Sequence, residues 1–119
     1  MGDFKTLEVW SESKDLAVLI YKITNSGLIS KDFGLRDQMR RASVSIPTNI
    51  AEGEESGSLK KSISYFYIYK GSLAELQTQT LIGSEVGYFD HNILEDITLK
   101  INSLSGKLRK LIKYRESLI

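Results

Sequence analysis

The only proline of the sequence, Pro47, lies inside a helical pattern and constrains the fold more than any other residue. The residues around it that share one face of a 3.6-residue helix are Leu35, Met39, Ala42, Ile46, Asn49 and Gly53. Because proline has no N–H for the Ser43 carbonyl, and its ring crowds that carbonyl, we predict a continuous helix kinked near Ser43. Gly53 is expected to end this helix in a left-handed turn. A loop at Pro47 between two short helices is the alternative.

Apolar residues at helical spacing predict three further helices, which gives four in all. They are expected over roughly residues 7–26, 33–53, 58–86 and 92–118. Residues 62–69 are rich in aromatic and β-branched side chains, but they lie within a long pattern without a turn signal, which favours a helix over a strand. Gly71 within the third helix is expected to let a neighbouring helix approach closely. Four amphipathic helices with short connections predict an all-α fold, a single antiparallel up-down-up-down four-helix bundle over residues 1–119.

Composition excludes several classes of protein and site. A chain of 119 residues without cysteine offers neither a disulfide framework nor a thiolate metal site. No apolar run approaches the roughly 20 residues that span a bilayer, and residues 1–4 open no signal peptide, so we expect a cytoplasmic protein without a membrane partner. The formal net charge of +1 predicts no strong overall attraction to nucleic acid. Such binding must then depend on local charge, or on copies of one patch brought together by assembly.

Groups suited to catalysis are scarce. His91 is the only histidine and falls in an expected surface turn, where a solvated side chain is the ordinary interpretation. The sequence has no Glu-x-x-His motif of the kind that binds metals in helix bundles, and no P-loop. An acidic cluster of Glu52, Glu54 and Glu55 is interpreted as a solvated loop, a hard-cation site being the alternative. We therefore predict a protein that is not an enzyme and has no cofactor and no bound metal.

Several helices carry apolar residues outside their main apolar stripe. These residues are Leu19, Tyr21, Tyr67, Tyr69, Ile101, Ile112 and Ile119. Scattered surface hydrophobic residues are normal, but an excess on several helices favours an interface between subunits. The spacing alone predicts an oligomer and does not count its subunits.

The basic residues are few but grouped, and they are the candidates for contact with nucleic acid. They are Arg40 and Arg41 on the second helix, and Lys100, Lys107, Arg109, Lys110 and Lys113 on the fourth, with Tyr114 as a stacking aromatic. Lys100, Lys107, Lys110 and Tyr114 share one helical face, and residues 100–115 contain no acid. The alternative for this face is a set of solvated lysines that complement the helix dipole. The planar guanidinium of Arg40 or Arg41 suits the carboxylates of Asp37 or Glu52 as well as it suits a phosphate.

A sequence motif in the second helix points to a known family. It consists of Phe33-Gly34-Leu35, Gln38, Arg40-Arg41-Ala42 and Ser45-Ile46-Pro47-x-Asn49-Ile50-Ala51-Glu52-Gly53, with Leu7-x-Val9-Trp10 upstream and Gly71-Ser72-Leu73-Ala74-Glu75-Leu76, Leu81-Ile82-Gly83 and Gly87-Tyr88 downstream. In this order the motif resembles the bacterial four-helix bundle proteins encoded in intervening sequences of 23S rRNA genes. The resemblance covers nearly the whole chain.

The resemblance implies a ring-shaped homopentamer associated with ribosomal RNA intervening sequences. A similar bundle is the accessory protein of the reverse transcriptase in diversity-generating retroelements, so a reverse transcriptase is a second implied partner. The chain has Glu54-Glu55-Ser56-Gly57 where many relatives carry a basic residue, which argues against a nucleic-acid contact at that loop. We predict a non-enzymatic homopentameric bundle that binds RNA or DNA through basic surface patches. The alternative is a protein-interaction scaffold or accessory subunit that touches no nucleic acid.

Overall fold

Helices account for nearly all of the regular structure. The computed structural model describes residues 2–119, with α-helices α1 (Glu8–Ile23), α2 (Phe33–Glu55), α3 (Leu59–Glu85) and α4 (His91–Ser117) and short 3-10 helices at Phe4–Thr6 and Leu28–Lys31. The described residues contain no β-strand. The long dimension of 46 Å matches the roughly 40 Å that a helix of α3's 27 residues spans, with the turns added. The prediction of an all-α fold is confirmed.

The four helices pack in chain order around one core. α2 packs between α1 and α3, α4 packs on α3, and α1 closes the bundle against α4. α2 and α3 run antiparallel, as two contacts between them show. Ser72 of α3 donates a hydrogen bond to Ser45 of α2, whereas Phe66, which precedes Ser72, lies against Gly53, which follows Ser45. Short connections between helices impose this antiparallel arrangement. The structure is thus a four-helix bundle, as predicted.

Capping side chains set the beginnings of three helices. The carboxylate of Asp32 accepts a hydrogen bond from the Leu35 N–H, and that of Asp90 accepts one from the Ile93 N–H, at 3.1 and 2.9 Å. The hydroxyl of Ser58 accepts from the Lys61 N–H. Each bond satisfies a backbone donor that has no partner within the first turn.

α2 is continuous through Pro47, so the alternative of a loop at this residue is wrong. Polar side chains near the proline bond to the helix's own backbone: Ser43 donates to the Arg40 carbonyl at 2.9 Å, and Asn49 donates to the Ser45 carbonyl at 2.7 Å. Neither bond reaches the Ser43 carbonyl, which is the acceptor that the missing N–H of Pro47 leaves free. The kink near Ser43 stays a prediction.

The sequence predicted that Gly53 ends α2, and this prediction was wrong. The helix continues to Glu55. A Cβ at position 53 would lie 2.9 Å from Cε1 of Phe66 and 3.3 Å from the Ser62 carbonyl oxygen on α3. The residue is therefore needed for the close approach of α2 and α3. Gly71 was expected to have that role, yet a Cβ there would meet nothing within 4 Å.

The core contains three residues that the sequence had assigned to a subunit interface. Tyr69 is fully buried and shares a hydrogen bond with the Ser13 hydroxyl at 3.2 Å, and burial raises the pKa of Tyr69 to about 12. Ile101 and Ile112 are buried in the same core. The prediction was wrong for these three, because a helix in this bundle buries a wider face than one stripe. Tyr21, Tyr67 and Ile119 remain exposed, while Leu19 packs partly buried against the core.

Candidate nucleic-acid interface

The basic residues of α4 separate onto two sides of the helix. Lys100 and Lys107 lie on the side of α1, where Glu8, Glu12 and Asp15 are close. Arg109 and Lys113 lie on the other side and line a groove against α3. Lys110 and Tyr114 are exposed to solvent. The four residues that the sequence placed on one face therefore do not form one uniformly positive stripe.

Carboxylates from α1 neutralise the side that contains Lys107. The Lys107 amine donates to Oε1 of Glu12 at 2.5 Å and to Oε1 of Glu8 at 2.6 Å. These two bonds raise the pKa of Lys107, and the bond from Lys107 is the main reason why the pKa of Glu8 is lowered. Lys100 pairs with Asp96 one turn earlier in α4. Two carboxylates against one amine leave little positive potential around Lys107 for a phosphate.

Arg40 connects α2 to the end of α1. Its Nε donates to Oγ1 of Thr24 at 2.9 Å, and its guanidinium lies 4.7 Å from the centroid of the Tyr21 ring. Arg41 is exposed and pairs with no carboxylate in residues 2–119. The structure does not pair either arginine with Asp37, which binds Arg36 instead at 2.9 Å. Arg40 is thus engaged within the bundle, whereas Arg41 is available to a partner.

A groove between α3 and α4 brings Lys70 of α3 together with Arg109 and Lys113 of α4. Its volume is about 340 Å³, and its lining consists of Tyr67, Lys70, Ser105, Leu108, Arg109, Ile112, Lys113 and Glu116. Leu108 and Ile112 are buried core residues that form an apolar floor. Lys70 stands on the α3 side, and Arg109 and Lys113 stand on the α4 side, all three exposed. Tyr67 is 49% exposed beside Lys70.

The groove carries a net positive charge. Within the described part of the chain, no carboxylate lies within 4 Å of the charged nitrogens of Lys70, Arg109 or Lys113, and the same holds for Lys110 outside the groove. Glu116 is the one acid in the lining, against three cations. Unpaired cations at a protein surface are available to phosphate groups.

Sequence reasoning did not identify Tyr67 and Lys70 as site residues. Tyr67 was assigned to a subunit interface, and Lys70 was not singled out. Their spacing of three residues on α3 places them on one helix face, which is the signal that could have found them. Nothing in the sequence indicated which side of α4 would face α3, because that depends on how the helices pack.

Glu54 and Arg115 correct a second interpretation. Glu54 was placed in a solvated acidic loop, but its carboxylate is buried and accepts a hydrogen bond from Nη2 of Arg115 at 2.6 Å. Nη1 of Arg115 donates to the Ser62 hydroxyl at 3.1 Å. Arg115 is therefore buried in an ion pair and not available to a phosphate, and Glu54 is not part of a cation site.

The remaining acidic and histidine side chains of residues 2–119 form no metal site. Among residues 2–119, no group of three or more His, Asp and Glu side chains has the geometry to hold a metal ion. His91 is exposed, with its Nε2 3.7 Å from Oε2 of Glu95. None of the described helices is long and apolar enough to cross a membrane.

Comparisons with known proteins agree with this architecture. A family model described as "23S rRNA-intervening sequence protein" matches residues 5–110. Among solved structures, the chain is similar to a protein of unknown function from the S23 ribosomal protein family of Bacteroides thetaiotaomicron, with a TM-score of 0.82 and 24% sequence identity. The match covers 88% of this chain and 95% of that chain, and at this identity it shows the fold alone. No curated protein matches the chain.

Proposed function

The chain belongs to the 23S rRNA-intervening sequence protein family, and from this premise we propose that it is a non-enzymatic homopentameric bundle that binds RNA or DNA. The observation that carries the proposal is the group of exposed cations without carboxylate partners that line the α3–α4 groove or stand next to its lining residues in α4. This group, called here the basic surface, consists of Lys70, Arg109, Lys110 and Lys113. Ribosomal RNA or a reverse transcriptase in the bacterial cytoplasm are the partners that the proposal includes.

Assembly into a ring would allow a small basic surface on each subunit to bind nucleic acid with useful affinity. A single bundle with a net charge of +1 attracts nucleic acid weakly, but a ring repeats the same surface around its axis. Linked copies that engage one strand together can raise the overall affinity by about 10² or more without a new contact. Exposed apolar residues such as Ile68 and Ile82 on α3, and Val86 directly after its last residue, support an interface between subunits. Light scattering tests the ring: we expect a pentamer, and a monomer at micromolar concentration contradicts it.

Binding is tested with a charge-removal variant and a matched control. R109Q/K110Q/K113Q removes three cations of the basic surface, whereas K14Q/K22Q/K31Q removes the same charge from α1 and the turn that follows it. Each lost phosphate contact makes the slope of log affinity against log salt shallower by about 0.7 for single strands or 0.9 for B-DNA. We expect the first variant to bind structured RNA and DNA more weakly, with a shallower slope, and the control to bind as the parent does. Equal binding by all three proteins contradicts the proposal.

A protein-interaction scaffold is the second candidate function. The same exposed apolar residues on α3, together with Leu81, support it, because a protein partner would cover such a face. If the parent protein binds neither RNA nor DNA at low salt, the scaffold becomes the better account.

A further inference from the structure

Resting on the nucleic-acid binding proposed above, we propose that the groove between α3 and α4 takes one unpaired base, so that the protein prefers single strands to duplexes. Three properties of the groove support this binding mode: an aromatic wall, an apolar floor and cations on both sides.

Tyr67 supplies the aromatic wall. Its side chain is 49% exposed and lines the groove, in contrast to the neighbouring aromatic residues Phe66 and Tyr69, which are fully buried in the core. A base has a flat apolar face, and stacking on an exposed aromatic ring satisfies both partners without reading sequence. The buried side chains of Leu108 and Ile112 offer the floor against which the edge of such a base can rest.

Cations flank this aromatic wall from two helices. Lys70 lies one turn along α3 from Tyr67, and Arg109 and Lys113 lie one turn apart on α4. A strand that inserts a base into the groove therefore has its neighbouring phosphates within the field of cations on either side. Ser105 can donate or accept a hydrogen bond at a base edge, and the Glu116 carboxylate can only accept one.

Glu116 also favours a base over a phosphate in the groove. A phosphate pocket with a carboxylate in its lining would place two like charges together, whereas a base is neutral. The apolar floor has no donor for phosphate oxygens. The arrangement therefore favours phosphates outside, on the exposed cations, and a base inside.

A duplex cannot make the same contacts. Its bases already stack on one another, and only its backbone is free to meet the cations. The groove volume of about 340 Å³ lies at the low end of the roughly 300–1,000 Å³ typical of small-ligand pockets, which fits one base and not a helix. The preference for single strands follows from these two facts.

Substitution of Tyr67 tests the inference, with Phe33 as the matched position. Phe33 is an exposed aromatic residue at the start of α2, away from the groove. The probes are a short oligo(dT) strand, an abasic strand with the same number of phosphates, and a duplex of the same length. We expect Y67A to bind oligo(dT) about 5- to 150-fold more weakly, the loss of one base–aromatic stack, and to bind the abasic strand and the duplex unchanged. F33A should bind all three probes as the parent does, and Y67F, which keeps the aromatic ring, should bind oligo(dT) more tightly than Y67A.

The outcomes of these experiments distinguish failure of the base site from failure of nucleic-acid binding as a whole. If Y67A binds oligo(dT) as well as the parent while R109Q/K110Q/K113Q binds it weakly, the base site is wrong and nucleic-acid binding stands. Equal affinity of the parent for the abasic strand and for oligo(dT) also overturns the base site. If the parent binds no probe at low salt, the proposed function fails and the inference fails with it. A strand containing 2-aminopurine gives a readout on the parent itself: the fluorescence of the stacked base should fall on binding, and unchanged fluorescence overturns the inference.

Discussion

The guanidinium of Arg115, near the end of α4, donates to the Glu54 carboxylate, near the end of α2, across 61 residues of sequence. The two side chains are only 9% and 2% exposed. Arg115 also donates to Ser62 at the start of α3 and lies 5.6 Å from the centroid of the Phe66 ring. One ion pair thus joins three helices at the end of the bundle where both terminal segments lie.

Removing one partner of this pair should destabilise the bundle more than removing both. R115M leaves the Glu54 carboxylate buried without a counterion, which costs about 3–5 kcal/mol of unfolding free energy. E54M/R115M leaves no buried charge, and we expect it to recover much of that loss. Urea denaturation measures the unfolding free energies of the two variants and the parent. All three are compared at one protein concentration, because assembly makes stability depend on concentration. An R115M protein as stable as the parent would show that the buried charge is compensated elsewhere.

Helix order and the main apolar stripes were predictable from the sequence because apolar spacing is a local signal, whereas the wider buried face that includes Tyr69, Ile101 and Ile112 was not. The run from Ser45 to Gly53 also led to the family that the match over residues 5–110 confirms. Contacts between residues far apart in the sequence were hardly predictable, because nothing in the neighbouring residues indicates them. Lys107 meets Glu8 and Glu12 across 99 and 95 residues, and these acids lie outside the acid-free stretch that indicated a basic stripe. Arg115 gave a partial signal, since it falls on the apolar stripe of α4, where a cation needs a buried partner.

Two glycines within helices should respond to alanine in opposite ways. Gly71 is exposed and has open space around its missing Cβ, so G71A should stabilise the bundle by about 0.5–1 kcal/mol through helix propensity. In G53A the new Cβ meets the Phe66 ring and the Ser62 carbonyl oxygen, a backbone atom that cannot rotate away. Overpacking of this kind costs about 1–3 kcal/mol. Thermal unfolding of both variants gives the comparison, and a destabilised G71A would indicate that this position is packed against another subunit.

Asp32 should contribute to the loss of stability in acid. Its carboxylate caps α2 at the Leu35 N–H and accepts a hydrogen bond from the Tyr88 hydroxyl at 2.8 Å. The Leu35 bond, followed by the Tyr88 bond, lowers the pKa of Asp32 below its ordinary value of 3.8. A lowered pKa means that the contribution is present above 3.8 and is lost as pH falls through the folded-state value. D32N should be less stable than the parent at neutral pH and should converge on it in strong acid. A constant difference between the two proteins across this pH range would contradict the assignment.

The two sides of α4 should differ in how much they contribute to binding. K100Q/K107Q removes cations that already pair with Asp96, Glu8 and Glu12, whereas R109Q/K113Q removes the same charge from the side that faces α3. Because a phosphate would have to displace the carboxylates from Lys107, we expect R109Q/K113Q to lose more affinity for RNA and DNA at low salt.

For stability, in contrast to binding, we expect K100Q/K107Q to have the larger effect of the two variants. The pKa of Lys107 is raised by Glu12 and then Glu8, so its ion pairs contribute stability that is complete below the ordinary value of 10.5 and is lost as pH rises through the folded-state value. K100Q/K107Q should therefore be less stable than R109Q/K113Q at neutral pH, and the difference should shrink in strong alkali. Salt titrations of binding and urea titrations at neutral and alkaline pH measure the two orders. Should K100Q/K107Q lose the greater affinity, the stripe predicted from the sequence is the binding face, and the α3–α4 groove is not.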